Sequence, residues 1–227
     1  MSHPKVSFEF FPPRNLEASF RLWDCVNVLA PLAPDFISVT YGAGGTTRQL
    51  THEAVTTLHR ATGLPVAAHL TCVNASRAET LEIAETYAQA GVTQIVALRG
   101  DAPKGEAKFT AHPEGFASSV ELISALADTG KFTLRVGAYP EKHPEASSLA
   151  ADIDWLKAKL DAGATSAITQ LGSSASSVGV RPRYRPPTPS ARAISAARLQ
   201  SSRRVSPSRL ASKFLASLYC ALTSCPT

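Results

Sequence analysis

The chain has 227 residues, 44% apolar and 18% charged, with a formal net charge of +5. That is room for one domain with a sizeable core, and it excludes a wholly disordered polypeptide. The charge is unevenly placed: residues 1–170 carry 14 Lys and Arg against 18 Asp and Glu, whereas residues 171–227 carry nine basic residues and no acidic one.

The opening MSHPKVSFEFFPPR lacks the apolar core of a secretory signal, so it reads as the start of the fold itself. Six short runs rich in β-branched or aromatic residues then recur: Val6–Phe11, Phe36–Tyr41, Pro65–Cys72, Gln94–Leu98, Thr133–Tyr139 and Ser166–Gln170. Their starts lie 30, 29, 29, 39 and 33 residues apart. Segments with apolar residues at three- and four-residue spacing separate them, such as Leu81, Ala84 and Ala88. Asn15, Thr47 and Ser76, the last with Glu79 three residues on, are placed to cap helices. Gly63, Gly91, Gly130 and Gly163 stand where left-handed C-terminal caps belong. The pattern predicts five βα units and a sixth strand.

Such a series builds either an open doubly wound sheet or a closed barrel. The first βα turn, Phe10-Phe11-Pro12-Pro13-Arg14, has no glycine fingerprint for a dinucleotide, which favours the barrel. Polar residues gather at the C-terminal ends of the strands: Glu9, Thr40, His69, Arg99 with Asp101, Tyr139 with Glu141 and His143, and Gln170. In a barrel those ends share one mouth, where chemistry is built.

Glu9 lies among phenylalanines in the sequence, and an apolar setting would keep its carboxyl neutral and able to donate a proton. The plainer alternative is a strand-end carboxylate paired with Arg14. The glycine-rich stretch Thr40–Thr47 offers backbone N–H groups to a phosphate or carbonyl, or is simply a βα loop; it lacks the lysine of a P-loop. Arg99 and Asp101 give one mouth a cation and a carboxylate. Tyr139 and His143, with Asp152 and Lys159 on the next helix, are equipment for a large cofactor with a planar head and phosphates. Four cysteines, Cys25, Cys72, Cys220 and Cys225, show no CxxC or Cys/His spacing. Neither a disulfide framework nor a metal site is expected, and a reducing cytoplasm is.

The segments VSFEFFPPR, FISVTYGAGG, HLTC, IVALRGDAPKG, AYPEKHPEA, DAGA and AITQ, in this order, resemble the bacterial methylenetetrahydrofolate reductase family over residues 6–170. The resemblance implies a (β/α)8 barrel holding FAD at the strand C-termini. NADH or NADPH reduces the flavin and leaves, and 5,10-methylenetetrahydrofolate takes its place to become 5-methyltetrahydrofolate for methionine synthesis. It further implies that Glu9 is the general acid that opens the folate ring, that Asp101 tunes flavin and folate, and that Gln170 contacts folate. Thr40, His69, Arg99, Tyr139, His143, Asp152, Lys159 and Ala164 would line the FAD site. The implied partners are the folate and the nicotinamide nucleotide; a homo-oligomer of the intact protein is left open.

After Gln170 the pattern ends. Residues 171–227 hold 13 Ser, 8 Arg, 8 Ala and 6 Pro, and supply no further βα unit. Phe214–Leu222 is far short of the roughly 20 apolar residues that span a bilayer. We therefore expect a barrel cut short after its sixth strand (residues 1–170), followed by an unrelated, irregular tail whose composition fits a shifted reading frame. Two other readings compete: a basic tail that binds nucleic acid, and a different barrel enzyme of aldolase or methyltransferase type.

Overall fold

The computed structural model describes residues 6–42, 47–102, 105, 109–139 and 141–169. Gln170 and the tail from 171 to 227 lie outside the described residues, as do the expectations made for them. Six strands alternate with five helices: β1 (Ser7–Phe10), α1 (Leu16–Leu29), β2 (Phe36–Val39), α2 (Arg48–Thr62), β3 (Val66–Thr71), α3 (Arg77–Gln89), β4 (Gln94–Leu98), α4 (Ser119–Asp128), β5 (Thr133–Ala138), α5 (Leu149–Asp161) and β6 (Ser166–Thr169). Each of the six expected runs is a strand.

All pairings are parallel, and the strands lie in the order β1-β2-β3-β4-β5-β6. A doubly wound sheet reverses direction part-way through its order. This one never does, so successive right-handed βα crossovers curl it into a partial (β/α)8 barrel.

Strand alternation sorts the side chains into two layers. Phe8, Phe10, Ile37, Val39 and Ala68 face outward and pack with Val55, Leu58 and Tyr87 of the first helices. Leu70, Ile95, Leu134 and Val136 continue that layer against Leu122, Ile123 and Leu126 of α4. Fully burying such a side chain stabilises by about 1.5–3 kcal/mol. The inner face holds a smaller cluster, Phe36, Ala67 and Val96, flanked by Leu98 and Ile168. The central strand β3 is buried at all six positions, whereas the terminal β6 is only half-buried at alternate ones.

Helix ends follow the expected chemistry with one exception. Asn15 Oδ1 accepts the Ala18 N–H at 2.8 Å, and Ser76 with Glu79 forms a complete capping box. Thr47 precedes α2 without capping it through its side chain: its Oγ1 accepts the Gly42 N–H at 2.6 Å instead, tying the β2–α2 loop shut. Ser118 and Ser148, which the sequence reading passed over, cap α4 and α5. The four expected glycines all have positive φ. At Gly163 (φ +115°) a Cβ would also sit 2.6 Å from Ala127 Cβ, so only glycine allows α5 to turn into β6 there.

Candidate active site

The curl brings the C-terminal ends of β2–β5 around one cavity of about 520 Å³. Arg99, Asp101, Tyr139, His143, Asp152 and Lys159, six of the positions expected from the sequence, line it. Their placement follows from the fold: Arg99 and Asp101 leave β4, Tyr139 and His143 leave β5, and Asp152 and Lys159 project from α5.

Arg99 is the best-held cation. Its Nη1 and Nη2 donate to the two carboxylate oxygens of Glu145 at 2.7 and 3.2 Å, and its guanidinium lies 4.8 Å from the Phe109 ring centroid. The paired carboxylate raises its pKa further, with Asp101 adding to the same field. At Gly100 (φ +89°) an added Cβ would meet Val73 at 3.0 Å, so the backbone of this loop presses directly on the strand-end of β3.

Lys159 is the second cation. Nζ donates to the Gly137 carbonyl at 3.0 Å, and burial pushes its pKa below the ordinary lysine value. The Tyr139 and His143 rings meet edge to face, 4.7 Å apart, and the His143 N–H donates to Asp152 Oδ2 at 2.9 Å. A ring pair, two cations and a carboxylate-fixed loop thus share one cavity wall.

Glu9 and His69 form a separate pair on the inner face. His69 Nε2 lies 3.4 Å from Glu9 Oε2, close enough for an ion pair when the imidazole is protonated but not aligned for a hydrogen bond. Their side chains are 20% and 9% exposed. The expected reason for Glu9's apolar setting needs correction. Phe8 and Phe10 belong to the outer, helix-facing core, because neighbours in a strand point to opposite faces. His69 of β3 meets Glu9 on the inner face.

Thr40 sits at the end of β2, its carbonyl accepting the Thr51 hydroxyl at 3.0 Å, with its neighbours Tyr41 and Gly42 on the cavity wall. Ala164 is buried in the outer core under α4 rather than on the cavity. The structure adds two residues that the sequence reading did not single out. Trp155 stands one turn from Asp152 and Lys159 on the same face of α5, a helical spacing that could have revealed it. Glu145 is bonded to an arginine 46 residues away, which no local pattern announces. Among the described residues no group of three or more His, Cys, Asp or Glu could hold a metal ion, and no helix is long and apolar enough to cross a membrane.

Cys72 lies behind this wall, its thiol donating to the Arg99 carbonyl at 3.4 Å, and burial pushes its pKa up from 9.0 to about 11. Since the thiolate is the reactive form, iodoacetamide at pH 8 should alkylate Cys72 about a hundredfold more slowly in folded protein than after denaturation. Mass spectrometry of the Cys72 peptide measures this; equal rates would mean that the loop after β4 opens readily.

Cations and aromatic rings at the C-terminal mouth of a partial (β/α)8 barrel define the class: a βα-barrel protein with a polar cavity at the end of the strands. The methylenetetrahydrofolate reductase sequence model matches residues 1–176, and the chain belongs to that family. It is 48% identical over 166 residues to the 5,10-methylenetetrahydrofolate reductases of Pectobacterium carotovorum and Escherichia coli K12, covering 73% of this chain and 54% of each relative. It is 36% identical over 176 residues to methylenetetrahydrofolate reductase (NADH) 1 of Arabidopsis thaliana, covering 30% of that protein. The chain therefore spans about half the length of its bacterial relatives.

Proposed function

We propose that residues 6–169 are the N-terminal part of a flavin-dependent reductase that converts 5,10-methylenetetrahydrofolate to 5-methyltetrahydrofolate with electrons from NADH or NADPH. The observation that carries this reading is the convergence of Arg99, Lys159, Tyr139 and Trp155 on one cavity in a chain of this family. The donor set fits FAD: two cations suit a pyrophosphate, and aromatic rings suit the planar heads. When bound, the flavin supplies the hydride.

The chain's own residues supply orientation and the proton. Arg99 and Lys159 hold anionic oxygens; Asp152, by fixing the His143 backbone, keeps the β5–α5 loop in place. A methylene carbon accepts hydride only as an electrophile, so the adjacent nitrogen must first be protonated and the five-membered ring opened. Glu9 is the proton donor in this reading of that step, with His69 Nε2 3.4 Å from its carboxyl. Gln170 is proposed to contact the folate.

The test is a fusion of residues 1–170 to the C-terminal part of the Escherichia coli relative that lies beyond the matched region. It should purify yellow and oxidise NADH when menadione or methylenetetrahydrofolate accepts the electrons. A folded but colourless fusion that takes up no added FAD overturns the reading.

A further inference from the structure

The cavity wall carries more carboxylates than fixed cations: Asp101, Glu145 and Asp152 against Arg99 and Lys159. A pyrophosphate entering it is repelled unless a carboxylate gives way. Asp152 is tied to its loop by the His143 N–H at 2.9 Å. Glu145 is hydrogen-bonded to a cavity cation, Arg99, yet its side chain is 57% exposed and has solvent to swing into.

The donor geometry of Arg99 sharpens this. A guanidinium grips a phosphate best through two N–H groups that point the same way. The end-on fork is Nη1 with Nη2, and Glu145 occupies both at 2.7 and 3.2 Å. The side-on fork needs Nε, whose N–H donates to the Gly100 carbonyl at 3.3 Å. Neither fork is therefore open to a ligand. The Gly100 carbonyl belongs to a backbone pressed against Val73 and Thr71 and cannot readily leave, whereas an exposed ion pair is weakly held. The Glu145 N–H donates to His143 Nδ1 at 3.1 Å, so with the backbone held a side-chain rotation is enough to release Arg99. Lys159 differs: one acceptor, the Gly137 carbonyl, leaves its ammonium with donors to spare.

We infer that Glu145 is an internal competitor for Arg99: its carboxylate occupies the guanidinium fork, is displaced by the pyrophosphate of a bound dinucleotide, and so weakens the site selectively toward phosphorylated ligands. This deepens the flavin reading proposed above and rests on it for the ligand. Two hydrogen bonds to Glu145 are exchanged for two to phosphate, so the net gain from Arg99 is the difference between two charge-assisted pairs. A ligand with the same rings and no phosphate displaces nothing, and Glu145 makes no difference to it. A Glu145 that instead positioned Arg99 for the ligand would act with the opposite sign.

The test compares the same fusion of residues 1–170 with its Glu145→Gln variant, both freed of flavin. Dissociation constants for FAD and riboflavin are read from flavin fluorescence, and for ADP from calorimetry. Glu145→Gln should tighten FAD and ADP about three- to tenfold and leave riboflavin within about twofold. With Arg99→Ala also present, the gain should fall below about twofold, because the competition acts through that guanidinium. Equal or weaker binding of FAD and ADP by Glu145→Gln, an equal gain for riboflavin, or a gain that survives Arg99→Ala would each overturn the inference and leave the flavin reading standing. A fusion that binds ADP with the expected gain but takes up no FAD refutes the flavin reading and keeps the competitor; one that binds neither nucleotide refutes both.

Discussion

Glu9→Gln, introduced into the fusion of residues 1–170 with the Escherichia coli C-terminal part, should lower methylenetetrahydrofolate reduction by about a hundred- to ten-thousand-fold, the range for losing a positioned general acid. Flavin reduction by NADH should change far less. Hydride transfer into a flavin asks for no proton at a folate nitrogen, whereas ring opening does. The amide of glutamine keeps the size and the hydrogen-bonding reach of the side chain, so packing on the inner face of β1 is preserved. Stopped-flow absorbance at the flavin band reads the two half-reactions separately. Equal losses in both would assign Glu9 a structural role through His69, whose Nε2 lies 3.4 Å away.

The fold was legible because parallel strands buried on both faces must be continuous apolar runs, and turns must be spelled out between them. Val66–Thr71 is the clearest case: every residue is buried, and the run is bounded by Gly63-Leu64-Pro65 and Asn74. Caps such as Asn15 and Ser76 were readable because the acceptor and the helix lie within four residues of each other. Thr47 was not, since its hydroxyl has a competing partner in Gly42 N–H five residues back.

The cavity residues were legible as a group but not as a geometry. Strand ends placed Arg99 and Tyr139 at one mouth, and helical spacing added Asp152 and Lys159. What holds them is long-range: Glu145 on Arg99 and Gly137 on Lys159. The environment of Glu9 shows the cost of reading neighbours along the chain as neighbours in space. The alternation of a strand sends Phe8 and Phe10 away from it and brings a residue of β3 towards it.

A polypeptide of these 227 residues, expressed without a partner, should be recovered largely as aggregate, without bound flavin and without measurable reductase turnover. The cavity wall is built mainly by α5 and the ends of β4 and β5, and α5 buries no residue fully while exposing Leu149, Ile153 and Leu160 on the face away from the cavity-lining Trp155. Each such side chain, if covered in a closed barrel, would contribute about 1.5–3 kcal/mol, against a net stability of about 5–15 kcal/mol for a whole domain. Helix α5 carries Asp152, Trp155 and Lys159, so weak anchoring of this one element removes a stacking ring and a cation from the site together. Weak anchoring also frees the loop that holds His143, because the Asp152 carboxylate that fixes it rides on the same helix. Contiguous apolar faces of this kind favour self-association over a dispersed monomer. Size-exclusion chromatography with light scattering, flavin absorbance per chain and NADH–menadione turnover measure the three outcomes. A monodisperse monomer with one flavin per chain and sustained turnover would show that five βα units and a sixth strand hold the site unaided.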